Sequence, residues 1–503
     1  MSISQTQDEN SCKLGSMNTT FLSINGNADF SSLAQQRGWT GNGTSSNPYI
    51  IEDLIVEANS TTKYLLMINN TNVYFQIRNC RLTGKKGYGY YNSSKICILF
   101  SNVTNGLVLG NYIDDFYYHG LSLINCTNIE ITDNTFKNAG GRGFISITHS
   151  SNISLTKNVL FSSYQGIIIQ ASFDIQIKSN HISRITCQGI FLNYSESITI
   201  ENNILESAGN GYGTLYPGLI IVHSHSNTIK NNSIVNPGWA GIALLLSDSN
   251  ILNNNLVNYT YDWWYEGINL KQSNNNTLSE NYLQNCKRAI ELTKSNGTVI
   301  SHNSVLRHGG GISIYTSTEN LIQENNLYEA DTGVSIWGGG KHTILMNQFN
   351  NCDVGIRLTT SSYNTIVNNT LTRNHYHGII LSEANFNVLC GNTISMSHKY
   401  GIYLEQSNHN TLTRNIITGN EDHGLYLDTS EYNNITENII TMNQGTGLVL
   451  DNSPNNTVVR NQIYWNAVDV NAGIQIILIL LVLGFITFLL WRARKSKLLK
   501  YEF

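Results

Sequence analysis

Residues 401–423, GIYLEQSNHNTLTRNIITGNEDH, align without a gap with residues 424–446, GLYLDTSEYNNITENIITMNQGT, and with residues 447–469, GLVLDNSPNNTVVRNQIYWNAVD. Fourteen residues after each opening glycine stands an asparagine: Asn415, Asn438 and Asn461. The same asparagine recurs backwards as Asn392, Asn369, Asn347, Asn325, Asn303, Asn281, Asn255, Asn232, Asn203, Asn180, Asn158, Asn134, Asn111 and Asn79, mostly 22 or 23 residues apart. Seventeen occurrences at so regular a spacing define a repeat architecture.

Each unit holds three short apolar runs, as in Ile402/Leu404, Leu412 and Ile416/Ile417, with apolar and polar positions alternating. That period of two belongs to strands with one buried face. The unit is too short for a 34-residue helical repeat and lacks the leucine density and helix of a leucine-rich repeat. An antiparallel sandwich predicts no constant interval. The pattern therefore predicts an all-β solenoid, a right-handed parallel β-helix of about 17 coils. We expect the recurring asparagine to occupy a sharp turn between the second and third strands in a left-handed conformation, its amide hydrogen-bonding along the axis as a ladder. The glycine opening each GIxL strand is expected to relieve crowding.

Composition agrees with one monotonous architecture. Of 503 residues, 13% are charged, the net charge is -4, 41 are glycine and only four are proline. This is too little charge and too much apolar content for a disordered chain. Lys plus Arg (30) below Asp plus Glu (34) argues against a nucleic-acid partner.

The segments divide as 1–60, an N-terminal segment and cap; 61–471, the β-helix; 472–490, a transmembrane helix; and 491–503, a basic tail. In the first, FLSINGNADF reads as a strand and turn, and Ser31–Arg37 as a short serine-capped helix closing the end of the solenoid. Ala472–Leu490 carries no charge and is long enough to span a bilayer. Trp465 and Trp491 flank it, and Arg492, Arg494, Lys495, Lys497 and Lys500 follow. By the positive-inside rule the expectation is a single-pass membrane protein, its β-helix outside at the cell surface and its C-terminus cytoplasmic. N-x-S/T sequons such as Asn42, Asn102, Asn193 and Asn275 suit that side. MSISQTQDEN, however, shows no export signal. Among the eight cysteines, Cys80 and Cys97 flank the longest insertion and are the one pair for which a disulfide is considered.

Three long insertions, 84–95, 209–218 and 258–267, precede GIxL strands on one edge and are rich in aromatics. Tyr88, Tyr90, Tyr212, Tyr261, Trp263, Trp264 and Tyr265 are the candidate ligand-binding residues, for flat rings on loops stack on sugars or on partner surfaces. The alternative is that such rings fold back and shield the edge. Phe116, Tyr117, Tyr118, His119 and Trp239 lie in the same column. On the outer face of the GIxL strands, Glu405, Asp428 and Asp451 stack on successive coils beside Tyr403 and Tyr426, with Lys271, Glu291, Tyr315, Trp337 and Arg357 farther along. Stacked carboxylates repel or recruit a cation such as calcium. His375 and His377, with His398 and His423 on the next turns, are candidate copper or zinc ligands. An ordinary polar surface is the competing account of both sets.

The repeated GIxLxxSxxNxIxxNxI motif resembles the parallel β-helix repeats of the NosD family, also grouped as the carbohydrate-binding and sugar-hydrolysis type, over roughly residues 60 to 466. INGNADF and GWTGNGTSSNPYIIEDL resemble the N-terminal cap of archaeal surface β-helix proteins of this kind. The resemblance implies carbohydrate binding or, through NosD, copper handling in a periplasmic accessory protein. It transfers no catalytic residue. The expected functions are, in order, binding of carbohydrate or a surface protein through aromatic loops, a polysaccharide lyase or hydrolase working in the first-strand groove, and copper handling.

Overall fold

A computed structural model of the chain describes residues 21–58, 63–84, 96–209, 216–259 and 265–472. These fall in two compact units, one ending at Leu256 and the other beginning at Val257. Each is a parallel β-solenoid with three strands per turn.

In the first unit, Gly143–Thr148, Ser151–Thr156 and Val159–Ser163 make one turn. They pair in parallel with Ile167–Gln170, Phe173–Lys178 and His181–Ile185 of the following turn. The second unit repeats this with Ile402–Glu405, Thr411–Thr413 and Ile416–Thr418, which pair with Leu425–Asp428, Asn434–Thr436 and Ile439–Thr441. Inward positions are aliphatic and sealed: Ile402, Leu404, Leu412 and Ile417 are wholly buried. Burying one such side chain contributes roughly 1.5–3 kcal/mol, so every turn adds its own share of core.

The asparagine ladder is present and fully bonded. Asn415 Nδ2 donates to Asn438 Oδ1 at 2.9 Å and to the Leu389 carbonyl at 2.9 Å, while its backbone N–H also donates to Asn438 Oδ1 at 2.9 Å. Each buried amide is thus satisfied by its neighbours along the axis. The conformational part of the expectation is corrected. The left-handed residue is the one before the ladder asparagine: Arg414 (φ 55°), Glu437 (58°), Met346 (53°) or Lys157 (56°). That position points to solvent and tolerates many side chains because the inter-strand bonds around it fix the turn. The register also shifts at the start. Asn79 is itself left-handed, and Cys80 takes the ladder place, its N–H donating to Asn111 Oδ1 at 2.9 Å.

Two further buried columns run beside the first. In the second unit Ser407 and Ser430 receive and pass on backbone bonds, with Ser407 N–H to Ser430 Oγ at 2.9 Å and Ser430 N–H to Ser453 Oγ at 2.9 Å. Asn387, Asn410 and Asn433 form a parallel amide file. At Gly424 the opening glycine relieves crowding, since a Cβ there would lie 2.6 Å from Ile440 Cγ2 and 2.7 Å from the Gly447 carbonyl oxygen, whereas Ala289 and Phe144 fill the same column elsewhere.

At the start of the first unit, Leu22–Asn25 is a strand paired with Tyr64–Thr71. The helix that follows is longer than expected, Asn27–Arg37, and its N-cap is Gly26 rather than a serine. It begins early because Asp29 Oδ2 accepts the Asn25 N–H at 2.8 Å and Phe30 is buried against Tyr49 and Phe75.

The C-terminal expectation is corrected as well. Val468–Ala472 is a strand paired with Thr446–Asp451, so Ala472 belongs to the solenoid and opens no helix. Among the described residues no helix is long and apolar enough to cross a membrane. Residues 473–490 lie outside the described residues, and the single-pass placement has no support in the structure. Cys80 and Cys97 are both free and buried. Burial pushes the Cys80 thiol up to about 11.

Candidate functional site: an aromatic and carboxylate face

The GIxL strands of the second unit present two outward columns. Register places Ile380, Tyr403 and Tyr426 in one file and Ser382, Glu405, Asp428 and Asp451 in the next. His377, Tyr400 and His423, each just before an opening glycine, project onto the same face. Five rings meet there. Tyr400 stacks on Tyr426 (centroids 4.9 Å, 5°) and on His423 (5.3 Å, 12°), His423 on Tyr426 (5.6 Å, 14°), and His377 on Tyr403 (5.6 Å, 25°). All five are half-buried.

The carboxylates hold this wall in place. Tyr426 OH donates to Asp451 Oδ2 at 3.1 Å, Tyr403 OH lies 3.4 Å from Asp428 Oδ2, and Ser382 Oγ donates to Glu405 Oε2 at 3.0 Å. Among the described residues no cation pairs with Glu405, Asp428 or Asp451. The phenols feel this. Partial burial, then Glu405 and Asp428, push Tyr403 well above the usual phenol range. Burial, then Asp451, pushes Tyr426 up to about 12. Both stay protonated donors at neutral pH. His377 is lowered to about 4 by burial, with Lys399 and Arg357 adding to it.

The histidines separate into two environments. His377 Nδ1 accepts the Tyr400 N–H at 3.3 Å and His423 Nδ1 the Thr446 N–H at 2.8 Å, which leaves only Nε2 of each for any ligand. His375 is exposed on the turn edge, 3.3 Å from Asp353 Oδ1, with its ring 5.5 Å from that of His398. His375 and His377 therefore do not converge. Among the described residues no group of three or more His, Cys, Asp or Glu is arranged to hold a metal ion. Glu405, Asp428 and Asp451 form a single file across successive strands rather than a cage.

The expected aromatic loops are divided. Tyr88, Tyr90, Tyr212, Tyr261, Trp263 and Trp264 lie outside the described residues. Tyr265 is half-buried, with its carbonyl accepting the Lys287 N–H at 2.8 Å and its ring 6.0 Å from that of Tyr259. In the first unit the described edge aromatics shield: Phe116 is 1% exposed against Phe144, His119 is buried, and Trp239 packs on Ile220, Ala240 and Ala243.

Two arrangements escaped the sequence reading. Arg288 Nη1 bridges Glu291 Oε2 at 2.9 Å and Glu266 Oε1 at 3.5 Å, and burial followed by Glu291 raises the Glu266 carboxyl. On the turn before the second asparagine file, Tyr363, Phe386, His409 and Tyr432 form a continuous exposed stack with centroids 4.9–5.2 Å apart. Its signal was present as the aromatic residue before the asparagine in SSYN, ANFN, SNHN and SEYN.

A three-stranded parallel solenoid with an internal amide ladder defines a class, and the comparisons place the chain within it. The family model described as "Right handed beta helix region" matches residues 64–217, 165–327, 217–371 and 332–478, and the chain belongs to that family. No curated protein matches it. Among solved structures it is similar to the periplasmic alginate epimerase AlgG (12% identity, TM-score 0.31, 82% of this chain and 84% of that one). It is also similar to the A-module of the Azotobacter vinelandii mannuronan C-5 epimerase AlgE4 (14%, 0.26, 77% and 95%). A third is the enzymatically active domain of bacteriophage CBA120 tailspike protein 2 (12%, 0.35, 50% and 39%).

Proposed function

We propose that the protein is a carbohydrate-binding β-helix and that its binding surface includes the ring wall formed by His377, Tyr400, Tyr403, His423 and Tyr426. The observation that carries this reading is the wall itself, five contacting rings on the outside of a sheet whose inside already holds a complete core, with Tyr400, His423 and Tyr426 near-parallel and Tyr403 crossing Tyr400 and Tyr426 at 63° and 61°. Such rings add nothing to that core, and their flat faces match the apolar CH faces of pyranose rings. Glu405, Asp428 and Asp451 supply acceptors for sugar hydroxyls one turn apart, roughly 4.8 Å by strand spacing. The aromatic insertions at 84–95, 209–218 and 258–267 remain part of the proposal as further contacts.

The test is a glycan array probed with the full chain, with a Tyr403→Ala/Tyr426→Ala variant and with a Trp263→Ala/Trp264→Ala variant. Signal lost in the first variant assigns binding to the wall. Signal lost only in the second moves it to the loops, and no signal from the unaltered protein contradicts the reading. Product release from a polysaccharide that disappears in Glu405→Gln or Asp428→Asn would replace binding by catalysis.

A further inference from the structure

The third strands of the second unit form a separate face, and it carries a groove of about 410 Å³. Outward residues of Ser304–Tyr315, Asn326–Trp337, Gln348–Asn350 and Thr370–Thr372 line it, in parallel register. Its polar groups are the Ser304 and Thr372 hydroxyls, the Asn326, Asn350 and Asn351 amides and the Arg373 guanidinium, with the Tyr328 ring as the flat element. No carboxylate is among its lining residues.

The charge of Arg373 is uncompensated. Arg307, at the same turn after the third strand and three coils earlier, is paired, its Nε with Glu329 Oε2 at 3.3 Å; Arg414 and Arg460, on the different left-handed turn before the ladder asparagine, both pair with Glu437, at 2.9 Å and 3.8 Å. Arg373 occupies the turn position of Arg307 (φ 57°) next to Asn351, which offers an amide where Arg307 meets a carboxylate. Among the described residues Arg373 has no ion-pair partner. A guanidinium in a cleft binds oxyanions through paired N–H donors. Asparagine amides and a tyrosine ring beside it suit a sugar better than a free inorganic ion. The volume lies within the range of small-molecule sites, roughly 300–1,000 Å³.

We propose that this groove binds one anionic saccharide unit, with its carboxylate, sulfate or phosphate group on Arg373, its ring against Tyr328 and its hydroxyls on Asn350 and Asn351. The site is independent of the ring wall and opposite to it in charge, since the wall presents Glu405, Asp428 and Asp451. One molecule thus carries two faces with different glycan preferences.

Isothermal titration of the full chain with uronate, sulfated and phosphorylated oligosaccharides, their neutral counterparts and inorganic sulfate tests this. We expect at least one anionic oligosaccharide to bind roughly ten-fold or more tightly than its neutral form, with affinity falling as salt rises. Arg373→Gln should abolish that preference. Tyr328→Ala should weaken the oligosaccharide without restoring parity between charged and neutral forms, and Tyr403→Ala/Tyr426→Ala should leave this binding unchanged. Circular dichroism checks that each variant is folded. Equal affinity for charged and neutral sugars, no binding of any anionic sugar, full retention in Arg373→Gln, or inorganic sulfate binding as well as the best sugar would each overturn the proposal.

Discussion

The outer face of the GIxL strands differs between the two units although the backbone beneath it is the same. In the first unit the file runs from Leu99 through Ser122 and Ser146 into an apolar stretch, Ile168, Phe191, Ile220 and Ala243, where Ile220 and Ala243 are buried with Phe191, Val222, Trp239 and Leu245 packed around them. In the second unit the equivalent file runs through Glu291, Ser313, Ser335, Arg357, Ile380, Tyr403 and Tyr426. Inward positions stay aliphatic in both. The strand fold constrains one side only, so the other is free to be covered in one unit and to carry exposed polar and aromatic side chains in the other.

The largest effects should fall where the units agree. Leu192→Ala and Leu404→Ala each remove a wholly buried inward side chain. Each should cost about 2–5 kcal/mol by denaturant unfolding, within the usual range for core truncation. A marked difference between them would mean that the units do not share one packing logic.

Next comes the ladder. Asn392→Ala strips acceptors from the Asn369 backbone and side chain and a donor from the Ile366 carbonyl, all at buried positions. Roughly 1–3 kcal/mol for each buried group left unpaired is expected, measured by the same unfolding curve. Asn180→Ala in the first unit should behave alike, because Asn158 and Asn203 bracket it with the same bonds.

The outward faces should then part company. Tyr403→Ala/Tyr426→Ala should lower glycan affinity by roughly ten-fold or more, about 1.4 kcal/mol, and barely move stability. Ile220→Ser should do the reverse, lowering the unfolding midpoint without touching glycan binding.

A pH effect is expected in both units, since burial lowers His119 in the first and His342 and His377 in the second, each to about 4. His377 is held near 4, below the ordinary imidazole value of about 6.5, chiefly by burial. Since its folded pKa is depressed, its neutral form contributes stability that is complete above the unfolded value and is lost as pH falls from about 6.5 through about 4. His377→Gln should lessen the slope of that limb of a stability–pH profile, with His119 and His342 carrying the remainder; an unchanged slope would contradict the contribution of His377. The smallest effect is expected for Arg414→Ala, which breaks an exposed pair with Glu437 and should cost under about 1 kcal/mol.

Much of the fold was legible because the repeat is written in the residues that build it. Ile402, Leu404, Leu412 and Ile417 announce strands by alternation, and Asn415 announces the stacking column. The backbone sign was misassigned because asparagine suits both a left-handed turn and a buried ladder. Only the carbonyl and amide partners show that Arg414 takes the first role and Asn415 the second. The ring wall was half legible. Tyr403 and Tyr426 share a column with period 23, whereas His377, Tyr400 and His423 reach the same face only because the chain folds outward before each glycine. The groove at Arg373 could not be read at all, because it depends on Asn351 standing where a glutamate would have closed an ion pair.

The most direct measurement is oxidative footprinting of tyrosine side chains, read by mass spectrometry, with and without the best ligand from the glycan array. The account predicts reduced modification at Tyr400, Tyr403 and Tyr426, with no change at the exposed Tyr363 and Tyr432 of the turn stack or at Tyr194 in the first unit. Protection at Tyr363, Tyr432 or Tyr194 with the wall unaffected would contradict it.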